Sequence, residues 1–500
     1  MEFEVKFQIP AARRAAVRRA LDTATARQQQ LRALYVDTAE GALARADLAL
    51  RLRYENGRWV QALKGRGDGV LARLEHEVVL TRAPQRLAAS AIDPARHAAS
   101  EAGALLASVL ADDDRLVEVL RTQIRRLSRR IASDGALIEI ALDEGVLLSA
   151  GRRAVVCELE FELVSGPPEA LPALAVRWAR RHALWWDVRT KAERGRRLAQ
   201  GVELAPPVKA ARSDLAGDTD LGTAFAHMLL ASLAHALPNL AEIADGTGGA
   251  EHLHQLRVAL RRLRTVLRSC EDWGGDAQAA RTLEAAWREP FMRLGALRER
   301  DIVATLLVPR LASLGLRLPV GSLPGAGSAQ RRARNTDAAS IVCAAQTQSL
   351  LLRTLALALG RPMTGAPLAP AAAHVLRSAR RRVLKGERGF AGADPDEQHR
   401  VRKRLKRLRY LFELLQALYA GRGARRMQRR LAAADDALGH LNDLVVSSSV
   451  CAGSFVGDVR ADAVLARLAA ERAAAQRDAG RRLRALAEAE CPWRSRRAPM

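Results

Sequence analysis

The chain has little of four things, and each shortage excludes something. Cysteine is scarce: Cys157, Cys270, Cys343, Cys451 and Cys491 are five in 500 residues, scattered and never in a CxxC pair. That pattern excludes a disulfide framework or a cysteine-ligated zinc site, and it predicts reduced thiols in a cytoplasmic protein. Long uncharged apolar runs are missing. The nearest approach to a membrane span, Ala224–Ala244, contains His227, His235 and Pro238 and is expected to be a buried helix. No leader is expected, because a charged strand starts at Glu2. Aromatic residues are only 4% of the chain, which leaves little to stack on nucleic-acid bases. Lysine is the sharpest shortage. Only Lys6, Lys64, Lys191, Lys209, Lys385, Lys403 and Lys406 stand among 80 basic residues. A compact ammonium is not replaceable by a planar guanidinium at a tight site, so the positions that keep lysine are candidate sites.

What is present is positive charge. Eighty basic residues against 55 acidic ones give +25, and a protein this basic meets polyanions. Five hundred residues, 49% of them hydrophobic, predict two or three domains with a sizeable core. No phosphate loop, nucleophile elbow, HExxH or dinucleotide fingerprint occurs in context, which removes the commonest catalytic engines.

Residues 1–203 read as mostly strands. Glu2-Phe3-Glu4-Val5-Lys6-Phe7 alternates strictly, with Glu2, Glu4 and Lys6 on one side. The signature returns at Leu48–Tyr54, Arg58–Lys64, Leu71–Leu80, Val117–Arg126, Ala136–Leu142 and Val155–Leu163. Asn56-Gly57 predicts a hairpin, Gly65–Gly69 another turn, and Asp143-Glu144-Gly145 the close of the strand before it. Helices are expected over Pro10–Ala33, about 83–110 and Pro168–His182. The charged faces carry Glu2/Glu4/Lys6, Arg51/Arg53, Lys64, Arg73/Glu75/Glu77, Glu139/Asp143 and Glu158/Glu160/Glu162, with Arg121, Gln123 and Arg125 placed together on one more. They cannot share a dry core, because like charges desolvated together cost many kcal/mol. Two arrangements remain: solvated faces on a sheet packed by its other side, or a closed barrel with a wet, charged lumen. Acids at the depth of bases suit a metal–phosphate complex, since carboxylates collect hard cations and Arg/Lys grip phosphate oxygens.

These residues resemble the CYTH or triphosphate-tunnel family, through ExExK at 2–6, Arg51-x-Arg53, Lys64-Gly65, Arg73-x-Glu75-x-Glu77, ALDEG at 141–145, ELEFEL at 158–163 and TKAERG at 190–195. The last three look most like its bacterial inorganic triphosphatase branch. The resemblance implies an eight-stranded antiparallel tunnel that hydrolyses or rearranges triphosphates with Mg²⁺ or Mn²⁺. It implies that Glu2, Glu4, Glu158 and Glu160 hold metal, with Glu77 or Asp143. It also implies that Lys6, Arg51, Arg53, Lys64, Arg73, Arg125 and Lys191 bind phosphates. Glu4, Lys6, Arg53, Lys64 and Glu160 are the expected catalytic set.

Residues 204–220 read as a linker, and 221–490 as helix after helix in two halves, about 221–360 and 361–490, before a basic tail at 491–500. Interruptions are expected near 318–330 and 361–370. The halves repeat. His254-Gln-Leu-Arg257-Val-Ala-Leu-Arg261-Arg262-Leu-Arg264 overlays His399-Arg-Val-Arg402-Lys-Arg-Leu-Lys406-Arg407-Leu-Arg409 at an offset of 145. On a helix, His254, Arg257, Arg261 and Arg264 form one ridge, and His399, Arg402, Lys406 and Arg409 its twin. This half resembles the CHAD family of conserved-histidine α-helical domains, with LGHLNDL at 438–444 adding to the match. That resemblance implies binding of inorganic polyphosphate.

The expected whole is a multidomain α+β protein of the cytoplasm. A metal-dependent inorganic triphosphatase tunnel makes pyrophosphate and phosphate, and a helical module binds polyphosphate. Its partners are those two anions, with no membrane. Thiamine triphosphatase, a cyclase acting on ATP, and a non-catalytic polyphosphate binder are the alternatives. Nucleic acid is disfavoured by the lack of interleaved aromatics and of a recognisable reading helix.

Overall fold

The computed structural model describes residues 2–67, 72–84, 86–111, 113–273, 276–313, 316, 328–360, 365–419, 421–455 and 458–493, with the backbone alone at 2, 66, 72, 73, 272 and 328–334. The side chains of Glu2 and Arg73 therefore lie outside the described residues. So do residues 68 and 69 of the Gly65–Gly69 turn, the stretch 318–327 and residues 494–500 of the expected tail.

Nine strands form the N-terminal sheet: β1 (Glu2–Gln8), β2 (Arg27–Thr38), β3 (Ala49–Glu55), β4 (Arg58–Arg66), β5 (Ala72–Val79), β6 (Leu116–Ser133), β7 (Ala136–Ser149), β8 (Arg152–Ser165) and β9 (Trp185–Trp186). The order β5-β4-β3-β2-β6-β7-β8-β1 closes on itself, because β1 also pairs β5 through Glu2↔Arg73 and Phe3↔Ala72. All the pairings are antiparallel, and β9 adds two residues beside β1. Closure leaves the eight main strands without free edges. Three hairpins turn on Asn56-Gly57 (φ 47° and 79°), Asp134-Gly135 (50° and 78°) and Ala150-Gly151 (48° and 73°). Both central residues are left-handed in each, the turn that matches strand twist.

The barrel resolves the choice left by alternation. Its outer face is apolar and covered. Leu34, Val36, Leu50, Leu52 and Leu63 pack under α2 (Ala42–Arg45) and α3 (Glu101–Val109). Phe7 and Phe161 meet edge to face at 5.6 Å, and Phe161 meets Trp178 of α4 (Ala170–His182). The charged faces therefore turn inward. The lumen is not charged throughout. Leu31, Ala33, Tyr35, Leu120, Ile124, Leu147 and Val156 form an apolar cluster, on which Ala192 and Leu198 of α5 (Lys191–Gln200) pack.

Some elements differ from expectation. Pro10–Ala33 is not one helix: α1 covers only Arg14–Leu21, and β2 begins at Arg27. From Ala33 to Thr38 β2 is buried at every residue, so it shows no alternation. The 83–110 insert contains one α-helix, α3, and short turns. Gly145 does not close a turn but lies within β7, opposite Ile124 and Val156. A Cβ there would stand 2.0 Å from the Gln123 carbonyl oxygen, so the glycine serves close backbone approach.

Helices follow: α6 (Leu221–Ala244), α7 (Ala250–Arg268), α8 (Ala277–Ala286), α9 (Arg288–Ala312), α10 (Ser328–Cys343), α11 (Ala345–Leu359), α12 (Leu368–Glu387), α13 (Pro395–Leu415), α14 (Arg422–Ser454) and α15 (Val459–Ala487). The chain forms two compact units. One comprises 1–208, 237–248 and 342–360; the other comprises 209–236, 249–341 and 361–500. Within the first, Arg197 meets Glu242 at 2.6 Å, Arg189 meets Asp245 at 2.6 Å, and the Trp186 N–H donates to Gln348. In the second, α7 packs on α9 and α13, and α14 on α13 and α9, so the two motif helices sit side by side. Trp493 is buried against Phe412 and Tyr419, which anchors the chain beyond residue 490. Among the described residues, α6 and a bent pair made from α10 and α11 are apolar enough to cross a membrane, and α6 is mostly buried.

Candidate functional site

A cavity of about 190 Å³ opens in the barrel lumen. Its wall on β3, β4 and β5 carries Arg51, Arg53, Lys64, Glu75 and Glu77. Opposite stand Glu4 of β1, Arg126 of β6, Glu139 and Ala141 of β7, Glu160 and Glu162 of β8, and Lys191 at the start of α5. Strand period explains the grouping. Glu4 pairs Glu162, Lys6 pairs Glu160, and Gln8 pairs Glu158 across β1 and β8. Glu158 in turn pairs Asp143, which pairs Arg126. Residues two apart therefore deliver their side chains to one face.

The deep end of this wall is an ion cluster. Asp143, Glu158 and Glu160 each offer an oxygen within 4.8 Å of the others. The Lys191 ammonium lies among them, 2.8 Å from Asp143 and 2.7 Å from Glu160, and in contact with Glu158. Arg126 donates to both Asp143 oxygens, at 2.7 and 2.8 Å, and to Glu160. Burial alone would push the Glu160 carboxyl up, but Lys191 and Arg126 hold it well below the usual range. Asp143 is lowered too: burial opposes its charge, and Arg126 and Lys191 outweigh burial. Burial opposes the Lys191 charge as well, yet its three carboxylates raise its pKa well above the usual value. Thr190 caps α5 by accepting from the Glu193 N–H at 3.0 Å, which fixes the backbone that carries Lys191.

The facing wall is compensated unevenly. Lys64 meets Glu75 at 3.0 Å, and Arg51 lies 3.6 Å from Glu77 and 3.8 Å from Glu75. The Arg51 guanidinium also donates to the Tyr35 hydroxyl at 3.3 Å. Burial disfavours the Arg51 charge, but Tyr35, Glu75 and Glu77 raise its pKa above normal. Burial also opposes ionisation of Tyr35, while Arg51, Lys191 and Lys64 bring its hydroxyl below the usual value. Arg53 differs. Burial and neighbouring Arg51 lower its pKa, although it meets Glu77 at 3.1 Å and Glu55 at 2.8 Å. A cation held below its ordinary pKa stands where an incoming anion is favoured.

The structure brings most of the expected site residues to this lumen and displaces two, Lys6 and Arg125. Lys6 is buried beneath the cavity, donating to the Arg189 carbonyl and 3.8 Å from Glu158. Glu158 is 0% exposed and reaches the cluster from below. Arg125 is exposed on the outer face, and Arg126 takes the lumen in its place. Arg121, Gln123 and Arg125 do share a face, but it is the outer one. Ile124 shares the face of Arg126 and pairs Leu31, so alternation of charge does not mark it. Glu2 and Arg73 occupy paired positions on β1 and β5. Tyr35 and Arg126 complete the lumen beyond the expected set, and Glu75, Glu139 and Glu162, expected on the charged faces without an assigned role, join it.

A second cluster lies in the helical unit. Arg257, Arg261 and Arg264 of α7 stand over the Phe291 ring at 4.7, 5.4 and 5.0 Å. Burial, Arg261, Arg298 and Arg402 lower the Arg257 pKa to about 10. Burial and Arg261 lower Arg402 as well, although it donates to Asn442 at 3.3 Å. His254 is lowered by burial, Arg298, Lys406 and Arg261, and His399 by burial, Lys403 and Arg402. The two expected ridges thus converge at their first turns. Their last members are already neutralised: Arg264 meets Glu284 at 2.6 Å, Arg409 meets Asp435 at 2.6 Å and Glu413 at 2.8 Å, and Lys406 meets Asp435 at 2.9 Å. Arg298 of α9 joins the cluster unforeseen.

Residues 1–195 match the CYTH domain, and residues 227–452 match the CHAD domain. The chain is a CYTH domain followed by a CHAD domain. Among solved structures, the CHAD domain from the plant Ricinus communis is similar to 57% of this chain over 98% of its own length, at 25% identity and a TM-score of 0.46. An adenylyl cyclase candidate from Hippeastrum, described as having a dominant triphosphatase activity, is similar to 41% of this chain over 98% of its own, at 22% identity and a TM-score of 0.32. An adenylate cyclase candidate from Bacillus halodurans is similar to 37% of this chain over 90% of its own, at 18% identity and a TM-score of 0.27.

Proposed function

We propose that the CYTH tunnel hydrolyses inorganic triphosphate to pyrophosphate and phosphate with a divalent metal, and that the CHAD unit binds inorganic polyphosphate. The observation that carries the first part is the cavity wall: five cations and six carboxylates, with Ala141 the one uncharged lining residue among those described. Pockets for drug-sized organic ligands start at roughly 300 Å³ and are mostly apolar. A cavity of about 190 Å³ with no aromatic wall suits a bare phosphate chain better than a nucleotide or a thiazole.

Arg51, Arg53, Lys64 and Arg126 would grip the phosphate oxygens and offset the charge that develops in the transition state. Cations fixed in place beforehand stabilise that charge without reorganising at the moment of reaction. Arg53, whose charge burial and Arg51 disfavour, would be relieved by the anion. The donor set of Asp143, Glu158 and Glu160 is all oxygen and already holds a cationic group, the Lys191 ammonium, which fits Mg²⁺ or Mn²⁺. Bound there, such an ion would supply charge neutralisation and a more acidic water. Glu4 and Glu162 line the same wall, and either would accept a proton from the attacking water.

Phosphate release from tripolyphosphate with Mg²⁺ or Mn²⁺ tests the site. Glu4→Gln is expected to lower kcat about 10²–10³-fold. An unchanged rate would contradict the placement of Glu4.

In the CHAD unit, the supporting observation is the convergence of His254, Arg257, Arg261, Arg298, Arg402 and His399, with Arg257 and Arg402 held below their ordinary pKa. An extended polyanion relieves that repulsion. Labelled polyphosphate is expected to stay bound in excess DNA at moderate salt, and to be lost in Arg261→Ala/Arg402→Ala. Displacement by DNA would refute this reading.

A further inference from the structure

Three carboxylates gathered around a lysine pose a problem of occupancy. Asp143, Glu158 and Glu160 have oxygens within 4.8 Å of one another. An ion held by all three, with oxygen ligands at about 2.0–2.6 Å, must sit near the middle of that triangle. The Lys191 Nζ is already there, touching each carboxylate. Ammonium and metal ion cannot share the position.

The charge balance says which group leaves. Arg126 sits on Asp143 and Glu160, Arg194 on Glu158 at 3.0 Å, and Lys6 lies 3.8 Å from Glu158. With Lys191, that makes four cations around three acids, two of which are at most 1% exposed. A divalent ion added to this set would pile up buried positive charge unless a cation withdraws. The other three are tied down. Arg126 is bidentate to Asp143, Arg194 also donates to the Val155 carbonyl, and Lys6 donates to the Arg189 carbonyl. The ion pairs of Lys191, among the described residues, are all with the three carboxylates. Its backbone opens α5 under the Thr190 cap, so the side chain can swing while the helix stays. Lys191 also lines the cavity that Arg51, Arg53 and Lys64 face.

We propose that Lys191 is a tethered stand-in for the divalent cation: the ion displaces its ammonium from the three carboxylates, and the freed ammonium turns to the phosphate chain. The idea rests on reading the lumen as a metal–phosphate site. It makes metal and anion binding mutually favourable, because the ion releases a phosphate ligand and the phosphate keeps that ligand from returning.

The test is Mn²⁺ binding followed by electron paramagnetic resonance in phosphate-free buffer, on the full chain. Lys191→Met is expected to bind Mn²⁺ at least about tenfold more tightly than the wild type, and Glu160→Gln more weakly. If Lys191→Met binds no tighter while Glu160→Gln weakens binding, the exchange is wrong and the metal site stands. If neither the wild type nor Lys191→Met binds Mn²⁺, the metal reading falls and the exchange with it. Acetylation of the wild type, read by mass spectrometry, covers a Lys191→Met that fails to fold. Labelling of Lys191 should rise when Mn²⁺ is added, and an unchanged or lower yield overturns the proposal.

Discussion

The Arg126 guanidinium grips Asp143 through both oxygens and touches Glu160 as well, so it both binds and braces the acidic wall. Arg125, one residue earlier, points to the outside. The pair makes a sharp internal control. Arg126→Lys keeps the charge but loses the planar fork, and is expected to lower kcat about 10–100-fold. Arg125→Ala should leave it within about twofold of the wild type. Equal losses in steady-state phosphate release would mean that the assignment of lumen and outer face is wrong. The sequence showed two arginines in a run of four within Arg125–Arg130, and no rule of alternation could choose between them. Packing chose: Ile124 meets Leu31 in the apolar part of the lumen, which carries Arg126 to the inside two residues later. Glu4, Arg51, Arg53, Lys64 and Glu160 were easier. All but Lys64 lie on a strand whose other face is plainly apolar; β4 carries Gln61 there.

Elements were legible where one face met charge and the other met a helix. β1, β3 and β8 alternate because their outer residues, such as Phe7, Leu52 and Phe161, are 0% exposed and their inner ones are ionic. β2 was hidden for the opposite reason: its second half is buried on both faces, so the period of two disappears. Gly145 misled in another way, since glycine signals both turns and close approach. In β7 it lets the backbone of β6 come near, and a Cβ would meet the Gln123 carbonyl oxygen. Gly145→Ala is therefore expected to cost about 3 kcal/mol, measured as a shift in the urea midpoint. A change under about 0.5 kcal/mol would mean that the two strands can separate without penalty.

At the scale of the molecule, one theme joins a barrel and a helical repeat. Each gathers arginines that burial and a neighbouring arginine hold below their ordinary pKa, Arg53 in the tunnel and Arg257 and Arg402 in the helices. Net charge of +25 raised the expectation of a polyanion, and the repeat at an offset of 145 pointed to the second cluster. Neither showed that residues 237–248 and 342–360 belong to the compact unit of the barrel. Such membership arises from buried polar contacts like those of Glu242 and Gln348, which lie inside helices of ordinary appearance.

The central claim is that the tunnel takes a bare phosphate chain. It is tested most directly by comparing kcat/KM for tripolyphosphate, ATP and thiamine triphosphate with Mn²⁺ or Mg²⁺, with the products resolved. The account predicts a clear preference for tripolyphosphate, equal amounts of pyrophosphate and phosphate, and loss of both in Glu160→Gln. Failure to cleave tripolyphosphate, or a preference for ATP, would contradict it.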